Sequence, residues 1–122
     1  MSVAAIPMNK SGAQFRTCPV TTYKVDLAAE KLIIANAVSA VVFLAIGGLL
    51  ALLIALTRWQ VIHLLPSVWY YRALTGHGFS MLVAWVVFFE VAGLYFGSAV
   101  MLNARMIAPK VGWVAWALMA VG

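Results

Sequence analysis

Tyr70-Tyr71-Arg72-Ala73-Leu74-Thr75-Gly76-His77-Gly78-Phe79-Ser80-Met81 carries a histidine, set between two glycines, from an aromatic and basic boundary into an apolar run. An imidazole inside a membrane helix is costly unless its nitrogens are occupied, so His77 is a functional candidate by default. The flanking glycines leave the backbone open to a large flat group at that level.

The surroundings place the stretch in a bilayer. Of 122 residues, 66% are hydrophobic and 9% charged, too apolar a composition for an ordinary water-soluble domain. About 20 apolar residues cross a hydrocarbon layer of roughly 30 Å. Leu32 to Thr57 is an uncharged run of more than that length, and Phe79 to Leu102 is a second, interrupted only by Glu90. The net charge of +5 comes from Lys and Arg at the ends of these runs, which reports orientation and argues against nucleic acid as a partner. Cys18 is the only cysteine, so it forms no internal disulfide, and no thiol or histidine near it suggests a metal.

An all-α membrane protein follows, a polytopic bundle with two full spans and the start of a third. Residues 1–25 form a tail. Within it Pro7, Gly12, Pro19 and scattered polar residues show no period and fit a mobile or surface-lying segment. Asp26 and Glu30 mark a helix start, where negative charge is favoured. Helix I covers 26–58, with Gly47, Gly48, Ala51 and Ala55 along a stripe that admits a close neighbour. Asn36 and Ser39 read as polar groups bonded between helices or to local backbone, ahead of a proton-path role. Arg58 and Trp59 close the helix at an interface, and a connection over 59–66 holds His63 and Pro66. Helix II covers 67–102, roughly 54 Å at about 1.5 Å per residue. A turn over 103–110 precedes helix III at 111–122, which reaches only about 18 Å by the same rise. A charged carboxylate at that depth would lie in hydrocarbon, so the expectation is the front part of a longer chain, or a second polypeptide that completes helix III. Lys10, Arg16, Lys24, Lys31, Arg105 and Lys110 flank one side, against Arg58 and Arg72 on the other. The excess sets the N-terminus in the cytoplasm and His77 toward the outer face.

On a uniform helical wheel Met81, Ala84, Phe88 and Tyr95 lie within about 40° of His77. This face suits a porphyrin plane as well as another helix, and such a stripe by itself is more often plain packing. Glu90 is turned by roughly 140° and lies about 20 Å deeper, on a stripe with Gly93 and Gly97 that predicts a protein neighbour. Its two readings, a proton relay and a carboxyl bonded to another helix, both stand. His63 reads as a solvent-facing or packing residue. His63 and His77, with a proline between, match no short metal-ligand spacing.

With these motifs in hand, residues 43–118 resemble the first part of subunit I of the haem-copper oxidases. The likeness rests on Gly47, Gly48 and Arg58, then Thr75-Gly76-His77-Gly78 with Met81, Gly93-Leu94-Tyr95-Phe96-Gly97, Ala108-Pro109, and Trp113 or Trp116. Tyr70-Tyr71 with Leu74-Thr75 is most similar to the B-type branch. The resemblance implies that His77 is one axial ligand of a low-spin haem of a or b type. Arg58 would lie near its edge, beside propionates or a formyl oxygen, with lipid-headgroup anchoring as the alternative. Met81 and Ala84 would flank the ring. It further implies a haem-copper binuclear centre built by residues outside these 122, and as partners membrane lipid, the remaining helices of subunit I, subunit II and cytochrome c or another donor. The implied location is the inner membrane of a prokaryote, and the implied activity is reduction of oxygen to water with proton translocation. No aspartate occurs in Leu102 to Lys110, which disfavours the A-type proton entrance there. Nitric oxide reductase and a cofactor-free accessory subunit are the competing functions.

Overall fold

The computed structural model describes residues 15–20 and 22–122; the tail features at Pro7, Lys10 and Gly12 lie outside them. Two short strands, β1 (Phe15–Thr17) and β2 (Lys24–Asp26), pair antiparallel with Phe15 opposite Asp26. The 32-residue helix α1 (Leu27–Arg58) follows. The second span, Ser67–Met101, is built from α2 (Ser67–Phe79), a π turn (Ser80–Ala84), α3 (Trp85–Phe96) and a second π turn (Gly97–Met101). The last helix is α4 (Pro109–Val121). Both α1 and the second span are long and apolar enough to cross a membrane, and the fold is that of a helical membrane protein.

The chain divides into two compact units, Met1–Asn36 with Val91–Gly122, and Ala37–Glu90. In the first, the described part of the tail, 15–20 and 22–25, is more ordered than its lack of period predicts. Cys18 donates its N–H to the Tyr23 carbonyl at 2.9 Å, and Arg16 forks onto Glu30, with Nη2 to Oε1 at 2.6 Å and Nε to Oε2 at 3.3 Å. Strands this short have no periodic signature; tertiary bonds hold them. The central tie is Asp26, 3% exposed. Its Oδ1 accepts the Ala28 N–H at 3.0 Å, capping α1, and its Oδ2 accepts the Met106 N–H at 3.0 Å, fastening the segment before α4. Asp26→Ala removes a helix cap and strands a part-buried N–H, so a loss on the order of 2 to 4 kcal/mol is expected. Asp26→Asn retains acceptor capacity and loses less. Thermal unfolding in detergent gives the magnitude, and amide exchange at Met106 shows whether the loss is local.

Deeper in this unit α4 lies close on α1. A Cβ built at Gly112 would meet Leu32 Cδ1 at 2.6 Å and Tyr95 Oη at 3.3 Å. Pro109 opens α4 two residues earlier than the expected Val111, because proline fits the first helical position, where its missing N–H costs nothing. Asn36, fully buried, donates Nδ2 to the Leu32 carbonyl at 2.8 Å, the local backbone bond expected of it.

In the second unit, α1 and the second span meet at the small residue Gly47, which is buried. A Cβ there would fall 2.6 Å from Met81 Sδ and 3.3 Å from Ser80 Cβ. One side of this contact is the Phe43–Phe88 stack, with centroids 5.5 Å apart and planes 12° from parallel. Phe88 is 2% exposed. The helix expected over 67–102 runs to Met101 and contains two π turns. Such a turn admits one extra residue and frees a carbonyl. Trp85 Nε1 donates to the Met81 carbonyl at 2.5 Å, which satisfies a group that hydrocarbon would leave costly.

Candidate functional site

His77 sits on the last turn of α2, immediately before the π turn at Ser80–Ala84. Its Nδ1 lies 2.9 Å from the Gly47 carbonyl oxygen of α1. A carbonyl only accepts, so this bond requires the proton on Nδ1. In the neutral ring Nε2 then keeps its lone pair. A histidine that donates one ring N–H to a backbone carbonyl is oriented and made more basic for metal ligation through the other nitrogen. The imidazole is half-buried. Gly78 beside it has open space where a Cβ would stand, whereas at Gly76 a Cβ would meet Leu50 Cδ1 at 3.1 Å. One glycine thus serves helix contact, and the other leaves room beside the histidine.

The remaining candidates fall elsewhere. Met81 packs against Gly47, Ala84 is buried, and Phe88 stacks on Phe43. On this face Met81 and Phe88 meet α1, at Gly47 and Phe43. Glu90 is exposed, and Gly93 and Gly97 have nothing within 4 Å of a built Cβ; among the described residues no neighbour covers their stripe. Arg58 is exposed at the end of α1. It lines an open groove of about 560 Å³ with His63, Ser67, Tyr70 and Tyr71, which joins it to the connection between the spans. His63 adopts a left-handed backbone, φ 36°, with Nδ1 3.1 Å from the Gln60 carbonyl oxygen. Arg72 stands over the Trp69 ring, 5.0 Å from its centroid.

Two participants escaped the reading of residue types. The Gly47 carbonyl is a backbone acceptor, and its only outward signal is the Gly47-Gly48 pair, which predicted close approach but not a bond. The π turn after His77 leaves no mark in the sequence. No three His, Cys, Asp or Glu side chains gather as a metal cluster among the described residues, so the arrangement offers a single imidazole to a metal.

The family described as cytochrome c and quinol oxidase polypeptide I matches residues 31–122, well over half of the chain and beyond residues 43–118 in both directions. Among curated proteins and solved structures no match is found. Two helices long and apolar enough to span a membrane agree with this match: the chain belongs to the cytochrome c and quinol oxidase polypeptide I family, the subunit I family of the haem-copper oxidases.

Proposed function

We propose that this chain provides one axial ligand, His77 Nε2, to a low-spin haem in the catalytic subunit of a respiratory terminal oxidase that reduces oxygen to water with proton translocation. The observation that carries the reading is the Nδ1 bond to the Gly47 carbonyl at 2.9 Å, which frees Nε2 and fixes the ring plane. When bound, the haem supplies one-electron redox chemistry, and axial ligation with burial are the protein's levers on its potential. The residues fit such a group: a half-buried imidazole with one nitrogen committed, and open space at Gly78. Met81 and Ser80 pack on Gly47 and hold the two helices at the separation this bond needs. The second axial ligand and the haem-copper centre belong to residues outside the 122. We further propose that the N-terminus faces the cytoplasm, on the count of Lys and Arg, with subunit II and cytochrome c or another donor as partners. The purified complex is expected to consume oxygen; consumption of nitric oxide in its place would assign the reductase instead.

A further inference from the structure

The groove at the connection between the spans has a chemistry of its own. From Arg58 to Arg72 the chain carries two arginines and a histidine and no Asp or Glu. The polar groups in the groove are the Arg58 guanidinium, the Tyr70, Tyr71 and Ser67 hydroxyls, the Thr57 hydroxyl, which is given to the Leu53 carbonyl, and the His63 imidazole, whose Nδ1–H is given to Gln60. Leu65 and Leu74 supply an apolar wall. The guanidinium and hydroxyls all donate, and no carboxylate lines the groove to receive a cation. Its position narrows the occupant further. It lies where α1 ends and the second span begins, beside exposed Trp59 and Trp69, the level at which aromatic and basic side chains meet headgroups.

We propose that this groove is a binding site for an anionic phospholipid, its phosphate held by Arg58 with the Tyr70, Tyr71 and Ser67 hydroxyls and its glycerol and first methylenes against Leu65 and Leu74. A zwitterionic headgroup brings an ammonium for which the groove has no acidic partner. An anionic one leaves no charge unmatched. The proposal takes the lipid-headgroup reading of Arg58 over the haem-edge one and does not rest on the ligand role of His77.

The test uses the complete oxidase complex in nanodiscs of phosphatidylcholine doped with phosphatidylglycerol, and counts the lipids retained after detergent extraction by mass spectrometry. Wild type is expected to retain phosphatidylglycerol over phosphatidylcholine. In the Ser67→Ala/Tyr71→Phe variant, which removes two donors and keeps the arginine, that preference is expected to fall roughly tenfold. A monodisperse gel-filtration peak establishes that the variant has folded. An undiminished preference in the folded variant overturns the proposal. So does displacement of the lipid by millimolar inorganic phosphate, which would make this a free-anion site. A shift of the low-spin haem band in the variant would give the groove to haem propionates and overturn it as well. The haem proposal is judged separately, on His77→Ala.

Discussion

In the complete oxidase subunit, His77→Ala is expected to remove the low-spin haem absorption, with protein yield and gel-filtration profile close to wild type. The side chain is only half-buried and makes one hydrogen bond to its neighbour helix, so its loss costs about 1 kcal/mol of stability. Its loss as a ligand is of another order, because alanine offers the iron nothing. Exogenous imidazole is expected to restore part of the band, since the truncation leaves a space of that shape beside the Gly47 carbonyl. His63→Ala is the matched control, a histidine in the exposed connection, expected to leave the band in place. A low-spin band unchanged in His77→Ala would remove the ligand assignment and favour an accessory role.

The spans were legible because their physics is local. An uncharged run from Leu32, closed by Arg58, and a proline immediately before Ser67 are enough to place α1 and the start of α2. His77 was legible for a similar reason: a polar ring in an apolar helix needs a partner wherever it points. The hairpin was not legible, since what orders Phe15–Asp26 is the Arg16–Glu30 fork and the Asp26 bond to Met106, the latter across 80 residues. The helical wheel favoured packing for the face of Met81, Ala84 and Phe88 without showing which residues of α1 meet it. It assumes a constant period, and the π turn at Ser80–Ala84 breaks that period just beyond His77. Residue type likewise disclosed that Gly47 permits a close approach, but only coordinates show that its carbonyl is the acceptor for the imidazole.

That double duty makes Gly47→Val the second large perturbation. A Cβ at residue 47 would lie 2.6 Å from Met81 Sδ and 2.8 Å from Met81 Cγ, with Ser80 Cβ at 3.3 Å. Met81 Sδ and Cγ can turn away about χ1 at the cost of a changed rotamer, but Ser80 Cβ moves only with its helix, and the two valine methyls add volume at the same point. The helices must separate there, at an overpacking cost of about 1 to 3 kcal/mol. Separation draws the Gly47 carbonyl from Nδ1 and frees the ring to rotate, and loss of such a supporting bond lowers metal affinity roughly 10- to 100-fold. The expected result is a folded complex with a low-spin band that is weaker and titrates out at lower detergent or heat stress than wild type. Gly48→Ala provides the contrast one residue away. Nothing lies within 4 Å of its built Cβ, so it is expected to be neutral or to stabilise by up to about 1 kcal/mol through helix propensity. Adding Met81→Ala to Gly47→Val makes room at the contact, so the pair should be less damaging than the sum of the single changes. Strict additivity of the two, or a Gly47→Val band indistinguishable from wild type, would mean that the Gly47 contact does not hold the histidine.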